Sequence, residues 1–161
     1  MPEAQMDRFM FKVIVGYPTE EEERVILDRM SSTKPVFTLN SIVTPEEIVK
    51  LQTLVNDIYV DDQVKNYIIK LVLATRNGEK LQPGLGRMIR CGSSPRATIN
   101  LNLAARAHAM LQGQAFVTPD NVKAIAPEVL RHRILLTYEA EAEDVTQDSI
   151  VQTILGKVLV P

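Results

Sequence analysis

Most of the chain places its apolar residues with a helical period, and only short stretches break that rhythm. Val64, Tyr67, Ile68, Leu71 and Val72 fall at i, i+3, i+4, i+7 and i+8. That spacing puts one apolar stripe on a helix opened by Asp61 or Asp62 and closed near Asn77-Gly78. Ile48, Leu51, Val55 and Ile58 make a similar stripe behind the cap Thr44-Pro45-Glu46-Glu47, with proline at the first helical position. Thr19-x-x-Glu22 is a capping box and predicts a helix through about Met30, with Val25, Ile26 and Met30 on one face. Ser94-Pro95 opens an alanine-rich helix that runs to Gln112-Gly113. Its Ala97, Leu101, Ala104, Ala105 and Ala109 are small enough for close packing, which predicts the central helix. Thr118-Pro119-Asp120 caps a helix to about Arg131-His132, and Thr146 starts a last one to about Leu155, before a tail at 158–161.

Four stretches depart from this period. Pro2-Glu3-Ala4-Gln5-Met6-Asp7-Arg8 reads as a short helix. Phe9-Met10-Phe11-Lys12-Val13-Ile14-Val15 then reads as a strand, stopped by Gly16-Tyr17-Pro18. A single strand lacks a pairing partner. The expectation is therefore the last strand of a sheet whose remainder lies outside the chain, here frayed or packed on the helices. Residues 31–41 form a connector, with Val36, Phe37 and Leu39 in a short extended piece. Residues 78–93 read as a long glycine-containing loop, and 133–139 equally as a short strand or a helix extension. The pattern predicts a mainly α fold: a short helix and strand at residues 1–16, then a helical bundle over 17–161 with room for one short β piece near its end.

Composition narrows the function classes. The chain has 161 residues, 45% hydrophobic and 24% charged, which suits an ordinary globular domain. Eighteen Lys and Arg against twenty Asp and Glu leave a net charge of −2, so no bulk field draws in nucleic acid or anionic lipid. Apolar runs are too short for a membrane span, and the start carries Glu3 with no apolar signal region. The single cysteine, Cys91, has no partner for an internal disulfide, and a reducing cytoplasm is expected. His108, His132 and Cys91 stand too far apart for a zinc spacing, so no metal site is predicted. No phosphate-binding loop is present either. The only Gly-Lys pair, Gly156-Lys157, lacks both the upstream glycine and a following Ser or Thr. Without that cradle and a magnesium-binding acid, the chain by itself is expected not to hydrolyse a nucleotide.

Arg96 is the first residue to suggest chemistry. It falls in the first turn of the alanine-rich helix, where the backbone dipole disfavours a cation by roughly 0.3–1 kcal/mol. Free amides there would point at an anion, phosphate most naturally. The alternative is an arginine that swings into solvent or pairs with a carboxylate on another helix. Arg8 ends the short first helix, where a cation suits the dipole; Asp7 beside it is placed to orient a guanidinium. A fixed arginine at a protein edge also suits an arginine finger on a neighbour's phosphate. Arg87 and Arg90 read as solvated loop cations near Arg96. His132 reads as a packed or helix-terminal histidine, Asp61-Asp62 as a helix cap, and Cys91 as a thiol whose reactivity depends on exposure.

These residues meet a family. Pro2-Glu3-Ala4-Gln5-Met6-Asp7-Arg8-Phe9, Gly92-Ser93-Ser94-Pro95-Arg96-Ala97, Val117-Thr118-Pro119-Asp120-Asn121-Val122 and Val129-Leu130-Arg131-His132-Arg133-Ile134 stand in the order of four blocks of the MoxR-type AAA+ ATPases. Those proteins are related to the magnesium chelatase ATPase subunit. The chain resembles their lid portion, cut just upstream of the arginine finger, without the α/β core that carries the Walker motifs. The resemblance implies that Arg8 is the arginine finger, reaching the neighbouring subunit's ATP site. It implies that Arg96 is the sensor 2 arginine on nucleotide phosphate. It further implies ATP and Mg as cofactors of the intact protein, a homo-hexamer, chaperone-like maturation of partner proteins, and a von Willebrand factor A-domain partner. Two other classes stand beside it: a free-standing helical protein-interaction module, and a nucleic-acid binder, which the near-neutral charge disfavours.

Overall fold

The computed structural model describes residues 3–34 and 38–161. Its elements in chain order are α1 (Glu3–Met6), α2 (Glu20–Met30), α3 (Pro45–Leu54), a 3-10 turn (Val55–Asp57), α4 (Asp62–Arg76), α5 (Gly78–Leu81) and α6 (Leu85–Met88). Strand β1 (Ile89–Cys91), α7 (Pro95–Leu111), α8 (Pro119–Leu130), β2 (Leu135–Leu136), α9 (Tyr138–Ala142) and α10 (Gln147–Lys157) follow. The starts are chemical. The side chains of Thr19, Thr44, Thr118 and Thr146 each accept the third backbone amide of their helix, and their own backbone N–H groups donate in return to the side chains of Glu22, Glu47, Asn121 and Ser149 respectively. Asp61 caps α4 through Gln63 N at 2.8 Å, which is the cap reading of the Asp61-Asp62 pair.

The predicted stripe of α4 is the core. Val64, Tyr67, Ile68, Leu71 and Val72 are all buried. Helix α7 is central as expected: Ala97, Leu101, Ala104, Ala105 and Ala109 are buried, and the helix lies against α8 and α4. Alanines at these positions let the backbones approach closely, so α7 fits between two neighbours. Gly113, in the left-handed region at φ 70°, turns the chain away where α7 ends. Helix α10 closes the bundle with Ile150, Val151 and Ile154 against α8 and α4.

The buried hydrophobic residues run from Val60 to Val158. Helices α2 and α3 bury none of their residues. Their predicted apolar faces exist, but Val25, Ile26, Met30, Ile48 and Leu51 remain exposed; only Val55 and Ile58, at the junction with α4, are partly covered. Amphipathic spacing sets a face and does not supply its partner. The connector's extended piece falls partly on residues 35–37, outside the described residues, and Leu39 beyond them is exposed and irregular.

The three remaining stretches differ in outcome. Residues 78–93 are not a plain loop: they fold into α5, α6 and β1, with Leu85 buried in the core. Residues 133–139 take the strand alternative, followed by a new helix and not by an extension of α8. Strand β2 pairs antiparallel with β1, Ile89 opposite Leu136 and Cys91 opposite Leu135, and α9 then starts at the cap Thr137. Residues 9–15 join no ladder, which is the frayed or packed state expected of this strand without its sheet. Carbonyls of this segment are taken by side chains at the end of α8 instead.

Candidate functional site: the start of α7 and the segment docked on it

The site begins with a staple. Gly92 lies against the last turn of α4, so close that a Cβ there would stand 2.4 Å from the Thr75 carbonyl oxygen. Only glycine fits. Ser93 N donates to Thr75 Oγ1 at 2.9 Å, and Arg76 Nε donates to Ser93 O at 2.7 Å. The Thr75 hydroxyl in turn donates to Val72 O at 2.7 Å. The Gly92-Ser93 backbone is thus locked to α4, and α7 starts from a fixed point at Ser94.

Ser94 serves two partners. Its Oγ accepts Arg96 N at 3.2 Å as the helix cap and donates to the Asp7 carboxylate at 3.0 and 2.9 Å. Arg96 Nη1 also reaches Asp7 Oδ2, at 3.5 Å, with its side chain 60% exposed. The expected set of free amides is not there. Pro95 has none, Arg96 N is held by Ser94, and Ala97 N bonds Ser94 O at 3.0 Å. The group that this helix start offers an anion is therefore the Arg96 guanidinium, which rests on a carboxylate from another element. That was the structural alternative for Arg96, and the loose, exposed pairing leaves the guanidinium able to exchange partners.

Asp7 does not orient Arg8. It turns to Ser94, Arg96 and above all Arg133, whose guanidinium has no exposed surface. Arg133 uses every donor it has. Nε donates to Asp7 Oδ1 at 3.1 Å, and Nη2 donates to Asp7 O at 2.9 Å and Phe9 O at 2.6 Å. Nη1 donates to Met10 O at 3.2 Å and to Val129 O. Burial pulls the Arg133 pKa below its ordinary value, and the Asp7 charge and hydrogen bond oppose that pull.

Arg131 and His132 complete the grip. Arg131 Nη1 donates to Lys12 O at 2.9 Å, while its Nε holds Asp148 Oδ1 at 2.9 Å. Lys12 N donates to Glu128 O at 2.9 Å. His132 Nε2 lies 3.0 Å from Phe9 O, and since a carbonyl only accepts, that nitrogen carries the proton. Its Nδ1 is buried without a partner, and burial pushes the imidazole below the usual histidine range. Segment 7–12 is therefore docked on α8 by three consecutive side chains.

Arg8 itself points outward. It is exposed, with its guanidinium carbon 5.1 Å from the Phe9 ring centroid, and it pairs with no carboxylate among the described residues. A cavity of about 280 Å³ beside the cluster is lined by Asp7, Cys91, Gly92, Ser94, His132, Arg133 and Leu135. Cys91 is an exposed free thiol, and Arg87 and Arg90 are exposed. No group of His, Cys, Asp or Glu suited to a metal ion occurs among the described residues. The donor set suits a phosphate better: an exposed guanidinium on a stapled helix start, already engaged by an anion.

Arg133 is the residue that sequence reasoning passed over. It appeared only within a family block. The available signal was a cation between apolar Leu130 and Ile134, which marks a buried charge in need of a partner. The partner, 126 residues earlier, has no sequence signature.

Residues 86–154 match the AAA lid domain. The whole chain is 37% identical over 162 residues to the chaperone MoxR1 of Mycobacterium tuberculosis, covering 42% of that protein. It is also 37% identical over 161 residues to YeaC of Bacillus subtilis, covering 48% of it. The crystal structure of a proposed ATPase from Cytophaga hutchinsonii superposes on the entire chain with a TM-score of 0.93 at 36% identity, over 49% of its own length. The chain thus spans less than half the length of these relatives. Among the described residues no helix is long and apolar enough to cross a membrane. Along its full length the chain is similar in sequence and in fold to MoxR-type AAA+ proteins, and its residues 86–154 are those that match the AAA lid domain.

Proposed function

We propose that the chain closes over ATP in a nucleotide-hydrolysing subunit, with Arg96 as sensor 2 and Arg8 as the arginine finger passed to the next subunit. The observation that carries this reading is the pair of exposed guanidiniums held on one docked unit. Arg96 sits at a stapled helix start with a loose carboxylate partner, and Arg8 projects from the segment clamped beside it. Residues 1–16 belong to the edge of the nucleotide core and 17–161 to the lid. ATP with Mg supplies the reactive phosphoanhydride when bound. Arg96 meets phosphate charge in its own subunit, and Arg8 neutralises charge developing on the transferred phosphoryl group across the interface. The assembly is a cytoplasmic homo-hexamer that remodels or matures partner proteins, a von Willebrand factor A-domain protein among its partners, without nucleic acid.

A second reading is a helical protein-interaction module without nucleotide chemistry. The uncovered apolar faces of α2 and α3 favour it. Steady-state ATP turnover by the intact subunit separates the two. Arg8→Ala is expected to lower kcat by about a thousandfold or more with little change in KM. Arg96→Ala is expected to raise KM. Turnover unchanged in both variants would overturn the ATPase reading and leave the module.

A further inference from the structure

The segment that carries Arg8 is bonded to the lid more firmly than to anything else described. Its Asp7, Phe9 and Met10 carbonyls all accept from one guanidinium, Arg133, which also holds the Asp7 carboxylate. Arg131 and His132 take the carbonyls of Lys12 and Phe9. Arg96 touches the same Asp7 carboxylate, at the longest distance in the cluster, 3.5 Å, and from an exposed position. A doubly charged phosphate competes well with a partly buried carboxylate, itself shared with Ser94 and Arg133, for such a guanidinium. When Arg96 leaves, Asp7 keeps Ser94 and Arg133, so the segment stays mounted.

We propose that Asp7 and Arg133 are positioning residues that mount the arginine finger of a subunit on its own lid, so that Arg8 moves toward or away from the neighbouring site as that lid responds to nucleotide. The proposal rests on the reading of Arg8 and Arg96 given above. Neither Asp7 nor Arg133 touches nucleotide. Arg133 holds the backbone on both sides of Arg8 through a planar fork of donors, which a lysine's single ammonium cannot reproduce. Asp7, adjacent to Arg8 in the chain, is the one group bonded to both the fixed clamp and the nucleotide-responsive arginine.

Mixed assemblies of the intact protein test this. In a ring, each site combines the nucleotide pocket of one subunit with the finger of the next. At an ATP concentration well below the raised KM of Arg96→Ala, where that variant alone is idle, an equal random mixture of Arg8→Ala and Arg96→Ala subunits regains about a quarter of wild-type turnover, because about one interface in four joins a sound pocket to a sound finger. Arg133→Lys and Asp7→Asn subunits are expected to recover in the same way with Arg96→Ala partners, which proves that they fold, assemble and keep a working pocket. With Arg8→Ala partners they are expected to stay at the level of either variant alone, since neither subunit then offers a finger. Recovery of Arg133→Lys or Asp7→Asn with Arg8→Ala would overturn the proposal and place their role inside their own pocket. Failure of the Arg8→Ala and Arg96→Ala pair to recover would instead sink the underlying reading of those two arginines. Should Arg133→Lys fail to assemble, Asp7→Asn, which keeps the carboxylate's size and shape, decides by the same comparison.

Discussion

Replacing Arg133 by methionine keeps the length of the stem and removes a guanidinium that has no exposed surface. Five bonds go with it: to the Asp7 carboxylate, to the Asp7, Phe9 and Met10 carbonyls, and to Val129 O. Removing one partner of a fully buried ion pair costs about 3–5 kcal/mol, chiefly because the other charge is stranded. Asp7 is not fully stranded: its side chain is 24% exposed and retains Ser94 and Arg96. Phe9 and Met10 lie at the surface, where water replaces part of the lost bonding. The expected loss is therefore smaller, about 2–3 kcal/mol. For a chain of this size that is a fall in Tm of roughly 5–10 °C. Urea unfolding of the chain measures the loss. Hydrogen exchange at the Lys12 amide, bonded to Glu128 O, reports whether the segment has left α8. A loss below about 0.5 kcal/mol with Lys12 protection unchanged would refute the clamp, since surface substitutions ordinarily stay within that range.

Other consequences follow from the same geometry. Gly92→Ala puts a methyl 2.4 Å from the Thr75 carbonyl oxygen, and relieving it breaks the staple to Thr75 and Arg76. A loss of about 2–4 kcal/mol in urea unfolding is expected, and wild-type stability would show that the α4–α7 junction gives way freely. His132 has a folded pKa below its unfolded value, so the unfolded chain takes up a proton first as pH falls. Its effect is absent above about pH 6.5, and stability then falls toward acid until the lower folded pKa is reached. His132→Gln should flatten that part of the profile, whereas an unchanged slope would assign it to other groups. Thr118→Ala removes the cap bonded to Asn121 N, for an expected loss of about 1 kcal/mol by thermal unfolding. The chain alone should show no magnesium-dependent ATP turnover, and any above contaminant level would require a nucleotide site not yet recognised.

The bundle was legible because its signals are local. The caps Asp61, Ser94, Thr118 and Thr146 fix where α4, α7, α8 and α10 start, and the helical spacing in α4 and α7 fixes which face is apolar. What those signals do not encode is the partner across the interface. The stripes of α2 and α3 are as regular as that of α4, yet they bury nothing. The apolar run at 9–15 has strand composition, but a strand is a property of two segments, and its bonding went to side chains of residues 131–133. The short elements within 78–93 were hidden for a similar reason: β1 exists only through β2, 40-odd residues later, and α6 through the burial of Leu85. Within the site, Arg96 and Arg8 stood out by position in a helix and by family resemblance. Asp7 is legible as a carboxylate that orients a guanidinium, but not which one, and Arg133 stays hidden because its role depends on a contact between the two ends of the chain.

The most direct measurement is the structure of the intact assembly with a non-hydrolysable ATP analogue, read as two distances. The account predicts the Arg96 guanidinium within about 2.7–3.2 Å of a phosphate oxygen in its own subunit and Arg8 equally near the nucleotide of the adjoining subunit. It also predicts that Arg133 still holds Asp7 while Arg96 has let go. Both arginines turned to solvent, beyond water-bridging distance of any phosphate, would contradict it.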